Sequence, residues 1–253
     1  MRQLVASELY TRPSSHGMTG GMPQAGRPSS VFLTAKGGPF VSDRQGFILQ
    51  ETVLLPVPHV PELRLHLADE AISLWQRTEE ELAEMGLPPP FWAFAWAGGQ
   101  ALARYVLDHP ETVAGKRVLD FASGSGLVGL AAAKAGAASV LCADLDEFAL
   151  AAIVINAAAN GVSVAVTGED QLGRAGAWDV ILAGDICYEQ VLAARVIAWL
   201  SAEQARGVNV LIGDPGRAYL PKDRLVALAT YQVQTVGALE DNEIKRTSVW
   251  RLA

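Results

Sequence analysis

The sequence VLDFASGSGLVG, at residues 118–129, is the strongest indication of fold in this 253-residue chain. Its apolar beginning predicts a buried strand that ends in a carboxylate, Asp120, and a turn containing Gly124 and Gly126 separates that strand from a helical pattern. Glycines have no Cβ, so the backbone amides of such a turn can approach a ligand closely. The next strand pattern ends in Asp144, whose carboxylate can accept hydrogen bonds from a ribose diol. The stretch therefore predicts a cradle for a nucleotide-like cofactor.

Strand and helix patterns alternate on both sides of this stretch. A helix is predicted from about Gly99 to Asp108 and a short one around Arg224 to Ala229. Between them lie the strands KRVLDF, SVLCAD, VAVT, WDVILAGD and VNVLIGD and the helices LVGLAAAKAG, EFALAAIVINAAANG and EQVLAARVIAWLSAEQA. This alternation predicts an α/β fold, a mostly parallel Rossmann-like sheet with helices on both faces. The last segments, YQVQTVGAL and KRTSVWRL, predict a C-terminal antiparallel strand pair because only a short turn joins them.

The N-terminal region differs in composition from the remainder. Residues 1–45 are rich in Gly, Pro and Ser and lack periodicity, so we expect a disordered or over-extended segment there. A single domain is expected over residues 46–253, with an N-terminal extension at 46–98 and a catalytic core at 99–253. Within the extension, ELRLHLA alternates like a strand, and ADEAISLWQRTEEELAEMG has helical spacing that stops at Gly86.

Composition and charge exclude several classes of function. A formal net charge of −7 disfavours a nucleic-acid partner, because general nucleic-acid binders carry a basic stripe. The two cysteines, Cys142 and Cys187, lie in apolar runs and the four histidines are scattered, so no metal site is expected. No apolar run approaches the ~18 residues of a membrane span. The Ala/Gly/Val-rich composition favours a bacterial cytoplasm, whereas the low acid content of the N-terminus leaves a mitochondrial matrix open.

Two cofactor classes fit the glycine-rich turn. The spacing Gly124-Ser-Gly126-Leu-Val-Gly129, with an acid downstream, satisfies the pattern of dinucleotide-binding folds. Asp120 argues against a dinucleotide, because a carboxylate at that strand end would repel the pyrophosphate. S-adenosylmethionine carries a sulfonium and an ammonium and no phosphate, so the same carboxylate would attract it. The sequence favours S-adenosylmethionine, with a dinucleotide as the alternative.

The residues after the fourth strand of the core predict the chemistry. WDVILAGDICY places Asp185 and Tyr188 beyond the carboxyl end of that strand, where ligands bind in open parallel sheets. The D-x-x-Y pattern differs from the N-P-P-Y type of enzymes that act on amides and nucleobases. A carboxylate can orient an arriving lysine ammonium, and a tyrosine can hydrogen-bond the amine or pack against its cation.

VLDFASGSG resembles the first motif of the seven-strand, class I methyltransferases, with Ala122 at the first glycine position. We expect this alanine to tighten the turn slightly. We also expect Asp146 to cap the helix EFALAAIVINAAANG, which follows it directly. The resemblance implies these cofactor contacts: the methionine end for Asp120, Gly124 and Gly126, the ribose hydroxyls for Asp144, and the adenine amino group for Asp170.

Two further segments, FWAFAWAGGQALARYVLDHP and VLIGDPGRAYL, are similar to the electron transfer flavoprotein beta subunit lysine methyltransferases, a branch with the D-x-x-Y signature. The likeness is strong over residues 91–251 and includes the TSVW ending. It implies that Trp96 and Gly99 line the cofactor pocket. It also implies that Asp185 and Tyr188 are the catalytic residues, which engage the target lysine.

The expected function is therefore S-adenosylmethionine-dependent protein-lysine N-methylation, with the electron transfer flavoprotein beta subunit as the protein partner. The topology would place Asp214 and Arg217 of the GDPGR turn at the substrate rim. Two alternatives remain open at this point. One is a methyltransferase acting on a ribosomal or other protein, or on a small amine. The other is a cofactor-binding module that binds a client protein without modifying it.

Overall fold

The computed structural model describes residues 43–68, 89–235 and 244–253. Residues 1–42, which make up most of the segment predicted to be disordered, lie outside the described residues, as does most of the helix predicted to stop at Gly86. Helix α1 (Arg44–Glu51) begins two residues before the predicted start of the domain. Asp43 caps this helix by accepting a hydrogen bond of 2.7 Å from the amide of Gly46.

An antiparallel hairpin follows helix α1. Strands β1 (Val53–Val57) and β2 (Val60–Leu67) pair with each other in a sheet of their own. The alternation in ELRLHLA buries Leu63, Leu65 and Leu67, so the strand predicted there is confirmed.

Seven strands form the main sheet in the order β5-β4-β3-β6-β7-β9-β8. They are β3 (Arg117–Phe121), β4 (Ser139–Ala143), β5 (Ala165–Thr167), β6 (Val180–Gly184), β7 (Asn209–Asp214), β8 (Leu225–Gln234) and β9 (Ile244–Leu252). Strands β3 to β7 pair in parallel, whereas β9 runs antiparallel to both β7 and β8. The predicted parallel sheet with a C-terminal antiparallel pair is confirmed.

Helices cover both faces of this sheet. They are α2 (Ala97–Asp108), α3 (Leu127–Lys134), α4 (Glu147–Ala159) and α5 (Gln190–Ala205). Because side chains alternate along a strand, Val118 packs with α2, α3 and α4, whereas its neighbour Leu119 packs with α5 on the opposite face. Asp146 accepts a hydrogen bond of 2.9 Å from the amide of Phe148, so the predicted cap of α4 is confirmed. None of the described helices has the length and apolar character needed to cross a membrane.

The order of the strands along the sheet reverses between β3 and β6. The chain adds β4 and β5 on one side of β3, and then returns to add β6 and β7 on the other. The carboxyl ends of β3 and β6 are therefore adjacent, with Phe121 opposite Ala183. Ligands of open parallel sheets bind beyond the strand ends at such a reversal. The fold thus places the glycine-rich turn beside the residues that follow β6.

The short helix predicted around Arg224 to Ala229 is wrong. A single 3-10 turn, Lys222–Arg224, leads directly into β8, which pairs with β9 along its whole length. The alanines and leucines of this segment favour a helix by local propensity, but pairing with β9 overrides that preference. The first predicted helix of the core is confirmed, although α2 begins at Ala97 rather than at Gly99.

Candidate active site

The turn after β3 is shaped to present backbone amides. Ser123 holds it in place: its amide donates to the carbonyl of Ala143 at 3.1 Å, and its hydroxyl donates to the carbonyl of Asp120 at 2.8 Å. Gly124 and Gly126 have φ values of +52° and +83°, in the left-handed region that glycine adopts readily. A Cβ built on Gly124 would meet no atom within 4 Å. The turn therefore has open space at the position where a cofactor is expected.

Ala122 occupies a strained position in the same turn. Its φ is +54°, a left-handed conformation that costs a residue with a Cβ roughly 1–2 kcal/mol. This is the position at which the class I motif has its first glycine. The backbone thus keeps the conformation that suits glycine, although the residue is alanine.

Asp120 is almost completely buried, at 1% exposure. Its Oδ2 accepts a hydrogen bond of 2.9 Å from the amide of Gly129 in α3, and a Cβ on Gly129 would lie only 3.0 Å from that oxygen. Burial and, to a smaller extent, the nearby carboxylate of Asp144 together raise the pKa of Asp120 to about 7, although hydrogen bonds to the carboxyl group oppose them. A positively charged ligand beside this carboxyl group would oppose both effects.

Asp144 joins the end of β4 to the glycine-rich turn. Its Oδ2 accepts from the amide of Gly124 at 2.8 Å, and its Oδ1 accepts from the amide of Asp146 at 3.0 Å. Burial raises the pKa of Asp144 as well. The next residue, Leu145, is 46% exposed and offers an apolar surface against which an adenine ring could pack. We did not single out Leu145 from the sequence, although an apolar residue between two acids was visible there.

The charge of this cradle fits an adenosine derivative that is cationic and has no phosphate. The pKa values of Asp120, Asp144 and Asp146 are all raised, by burial first, and those of Asp120 and Asp146 also by the charge of Asp144. A pyrophosphate would add negative charge to this cluster, whereas a sulfonium and an ammonium would offset it. The residues present are thus suited to S-adenosylmethionine rather than to a dinucleotide.

Asp170 lies three residues beyond β5 and is exposed. Its Oδ1 accepts a hydrogen bond of 2.9 Å from the amide of Leu172, which closes a local turn. The carboxylate keeps further lone pairs for a ligand. Its assignment to the adenine amino group stays a prediction. Among the residues that the structure describes, no group of three or more His, Cys, Asp or Glu side chains is arranged to hold a metal ion.

Asp185 is held at the tip of β6 by two hydrogen bonds. Its Oδ2 accepts from the amide of Gly99 at 2.8 Å, and its Oδ1 accepts from Nη2 of Arg217 at 2.7 Å. The side chain is 11% exposed, and the backbone has a left-handed φ of +55°. The pKa of Asp185 is raised to about 6, because burial and the Asp214 carboxylate raise it by more than Arg217 and the amide of Gly99 lower it. The predicted catalytic carboxylate is therefore fixed in position and close to a cation.

Glycines allow the start of α2 to approach β6 and β7 with no side chain between them. A Cβ on Gly98 would lie 2.6 Å from Oδ2 of Asp185 and closer still to the carbonyl oxygen of Gly213. A Cβ on Gly184 would lie 3.0 Å from Cα of Gly99. Real Cβ atoms do not come as close to backbone as a Cβ on Gly98 would, so glycine is required there, and a Cβ on Gly184 would make a tight contact. Gly98 and Gly213, the first glycine of GDPGR, thus have a common explanation, which spacing in the sequence could not supply.

Gly99 also faces the cradle. A Cβ built on it would make only ordinary contacts, at 3.9 Å, with the side chains of Leu127 and Val128 in the first turn of α3. Gly99 thus lies between Asp185 and the helix that follows the glycine-rich turn. This position agrees with its predicted place at the cofactor pocket, which stays a prediction.

The GDPGR turn after β7 brings Arg217 to Asp185. Asp214 is completely buried, and its Oδ1 accepts from the amides of Gly216 at 2.6 Å and Arg217 at 2.7 Å. The Arg217 guanidinium lies 5.9 Å from the centroid of the Trp96 ring, in addition to its bond to Asp185. From the sequence we expected Arg217 to lie at the rim of the substrate site. The structure places it in direct contact with the predicted catalytic carboxylate.

Aromatic side chains lie outside this ion pair. The ring of Phe91 is 5.8 Å from that of Trp96 and 5.9 Å from that of Tyr188, centroid to centroid. The indole nitrogen of Trp96 donates to the carbonyl of Phe91 at 2.9 Å. Tyr188 is 53% exposed, so this predicted catalytic residue is at the surface and not part of the core. The arrangement offers ring surface to a cation that arrives from solvent.

A buried asparagine supports the cradle and was not predicted. Asn156 of α4 donates from Nδ2 to the carbonyl of Ser125 at 2.9 Å and accepts at Oδ1 from the amide of His66 at 2.8 Å. One side chain thus joins the glycine-rich turn to strand β2. The only signal in the sequence was an asparagine pair, Asn156 and Asn160, on one face of an alanine-rich helix.

Comparison with known proteins is consistent with this geometry. The family model of the ribosomal protein L11 methyltransferases (PrmA) matches residues 100–202. An electron transfer flavoprotein beta subunit lysine methyltransferase from Xenopus laevis is 37% identical over 213 residues, which cover 81% of this chain and 85% of that relative. The chain belongs to this lysine methyltransferase family. The family member from Danio rerio is 34% identical over 217 residues, covering 83% of each chain.

The alignment with the lysine methyltransferase from Xenopus laevis extends beyond the PrmA match, because 213 residues are more than residues 100–202 contain. The match begins within α2 and ends within α5, so it leaves out the N-terminal hairpin and β7 to β9. Among solved structures, ribosomal protein L11 methylase from Lactobacillus delbrueckii subsp. bulgaricus is 20% identical, with a TM-score of 0.43. It covers 62% of this chain and 79% of that one.

Proposed function

We propose that this protein is an S-adenosylmethionine-dependent protein-lysine N-methyltransferase that acts on the electron transfer flavoprotein beta subunit. Its curated relatives carry that name, and they align with it over most of their length. The observation that carries the proposal is the position of Asp185. Its carboxylate is fixed at the tip of β6, next to the strand whose end forms the acidic cofactor cradle.

S-adenosylmethionine supplies an electrophilic methyl group when it is bound. The chain's own residues hold it and keep it in place. We assign the methionine end to Asp120, Gly124 and Gly126, the ribose hydroxyls to Asp144, the adenine to Asp170 and Leu145, and the wall towards the substrate to Trp96 and Gly99. The raised pKa of Asp120 supports this assignment, because a buried acid without a neutralising partner is suited to a cationic ligand.

Asp185 and Tyr188 act on the target lysine. The Asp185 carboxylate attracts the ammonium group and fixes its orientation, which lowers the entropic part of the barrier. A pKa of about 6 is close enough to neutral pH for this group to take up the proton that the amine loses. The exposed Tyr188 ring, with Phe91 beside it, packs against the lysine as it arrives from solvent.

Methylation of a ribosomal protein is the second candidate, favoured by the PrmA match over residues 100–202. That match covers the cradle and Asp185 but not the GDPGR turn, which also contacts Asp185. It therefore supports methyl transfer and does not decide the substrate. Another protein, or a small amine, would use the same cradle.

A labelling experiment separates these candidates. The purified protein is incubated with radiolabelled S-adenosylmethionine and, in parallel, with purified electron transfer flavoprotein, ribosomal protein L11 and a mixture of free amines. We expect label on lysine of the flavoprotein beta subunit, located by mass spectrometry, and no transfer by the Asp185→Asn variant. Label on L11 or on free amines, with none on the flavoprotein, would overturn the proposed substrate.

A further inference from the structure

We propose that Arg217 is a positioning residue, whose guanidinium holds the Asp185 carboxylate charged and correctly oriented for the target lysine. This inference rests on the proposed function. Arg217 acts through Asp185 and is distinct from the groups assigned to the cofactor. The contact joins the turn after β7 to the residue after β6, two adjacent strands of the sheet.

Arg217 is anchored at its backbone amide and at its guanidinium group. Its backbone amide donates to Oδ1 of Asp214 at 2.7 Å, and its guanidinium lies 5.9 Å from the centroid of the Trp96 ring. The side chain is only 21% exposed although it carries a full charge. A surface arginine that served only for solubility would not be anchored at both ends.

The buried carboxylate of Asp214 is unfavourable for stability, and its contact with Arg217 gives a reason for its presence. Its side chain is completely buried, and Oδ2 has no hydrogen-bond partner among the residues that the structure describes. Burial raises its pKa, which means that the protein disfavours its charge. A buried carboxylate with one unsatisfied oxygen is unfavourable for stability. Its bond to the amide of Arg217, together with that to Gly216, fixes the turn from which the guanidinium reaches Asp185.

The two hydrogen bonds to Asp185 leave each carboxylate oxygen with a second lone pair. Arg217 donates to Oδ1 and Gly99 to Oδ2, so each oxygen is bound once by the protein. A carboxylate oxygen has two lone pairs, and the second pair on each can accept from an ammonium group. With both oxygens fixed, the plane of the carboxylate is set before the substrate arrives. That fixed plane determines where the amine nitrogen lies.

Arg217 also governs the charge of Asp185. Burial and the Asp214 carboxylate raise the pKa of Asp185, whereas Arg217 lowers it both by its charge and by its hydrogen bond. The Cys187 thiol nearby has its own pKa raised by burial to about 12 and is neutral. Arg217 is thus the cation that offsets these effects on Asp185. Removal of its charge would leave more of the carboxyl group protonated near neutral pH.

The test compares Arg217→Gln and Arg217→Lys with the wild type. The pKa of Asp185 is read directly from the 13C shift of its side-chain carboxyl, without substrate, and kcat/KM is measured against pH. For Arg217→Gln we expect the carboxyl titration and the acid limb of kcat/KM to move together to higher pH. Activity then falls up to about tenfold for each pH unit of that movement. Arg217→Lys keeps the charge, so the acid limb of kcat/KM should stay close to its wild-type pH. Its main defect should be a lower kcat, since lysine cannot match the planar guanidinium.

Arg195→Gln is the matched control, because Arg195 is an exposed arginine of α5 away from the site. It should leave both titrations unchanged, and S-adenosylhomocysteine affinity should be equal in all folded variants. An unmoved Asp185 titration in Arg217→Gln would overturn the inference, even if activity dropped. Should that variant not fold, an Arg217→Lys enzyme with wild-type kcat would overturn it instead. A wild-type enzyme that labels no lysine refutes the proposed function, while the carboxyl titration still tests Arg217.

Discussion

The amide nitrogen of Gly99 donates a hydrogen bond of 2.8 Å to Oδ2 of Asp185. The first turn of α2 therefore holds the carboxylate at the tip of β6. The N-terminal end of a helix carries a partial positive charge, so this contact also stabilises the ionised form of Asp185. Its neighbour Gly98 makes the approach of the helix possible, since a Cβ there would collide with the backbone of Gly213.

Alanine substitutions at these two adjacent glycines should have opposite effects. Gly98→Ala forces a methyl group against fixed backbone and should lower the free energy of unfolding by about 1–3 kcal/mol or more. Gly99→Ala meets only ordinary contacts and should leave the fold intact, because alanine favours a helix. If Gly99 lines the cofactor pocket, Gly99→Ala should nevertheless weaken S-adenosylhomocysteine binding. Urea unfolding and calorimetry of both variants measure these effects, and equal stability losses would contradict the packing described.

Asp185→Asn removes the charge of the carboxylate and keeps its shape. We expect methyl transfer to the flavoprotein to fall by about 10²–10⁴-fold, the usual contribution of a positioned acid–base group. Affinity for S-adenosylhomocysteine should stay close to that of the wild type, since the cradle is on β3 and β4. Tyr188→Phe keeps the ring and should retain more activity than Asp185→Asn. A fully active Asp185→Asn enzyme would show that the lysine site has been assigned to the wrong residue.

Cofactor binding should depend on pH through Asp120. Burial raises its pKa from 3.8 to about 7, so the folded protein retains a proton that the unfolded chain has released between these values. The contribution of this group to stability therefore decreases as pH rises through that interval. The ammonium group that S-adenosylhomocysteine shares with S-adenosylmethionine favours the ionised form of Asp120, so its affinity should increase with pH up to about 7 and then level off.

Calorimetry between about pH 5.5 and about pH 8 measures this dependence and the proton released on binding. Asp120→Asn can still accept from the amide of Gly129, so the variant is expected to fold. It should bind more weakly and without the pH dependence below 7. A wild-type affinity that is constant over this range would be inconsistent with a carboxylate of raised pKa at the methionine end.

Ala122→Gly should stabilise the protein. The residue has a φ of +54°, so glycine removes an unfavourable conformation that costs roughly 1–2 kcal/mol, less the entropy that glycine loses on folding. A net gain of up to about 1 kcal/mol in the free energy of unfolding is expected. The same substitution at Ala194, an exposed position inside α5, should instead cost about 1 kcal/mol. Thermal unfolding of the two variants tests whether the free energy of unfolding rises in Ala122→Gly and falls in Ala194→Gly.

The sequence was sufficient to predict the sheet and the acidic cradle. Asp120 and Asp144 each end an apolar strand before a helix, and successive parallel strands bring such ends to one edge. Their meeting at the glycine-rich turn therefore follows from spacing alone. The strand β8 was missed because LVALAT has good helix formers, and its strand conformation depends on β9, which comes almost twenty residues later.

The contacts around Asp185 could not be predicted in the same way. Arg217 reaches it from a position 32 residues later, and this depends on the register of β6 against β7. The contact of Gly98 with Gly213 depends on how closely α2 approaches the sheet, which leaves no periodic pattern in the sequence. From the sequence we predicted that Asp185 and Tyr188 carry the chemistry, and this stays a prediction. The sequence did not predict the backbone and the cation that hold them.

Asp185 combines a left-handed backbone, a buried side chain and a negative charge, each of which opposes folding. Under the proposed function, its presence is a trade-off between stability and catalysis. In a directed-evolution screen that selected only for heat resistance, this position would be free to change, and the selected variants would be stable proteins that lack the proposed catalytic carboxylate. Selection for thermal stability must therefore be combined with an assay of methyl transfer if a stable and active enzyme is wanted.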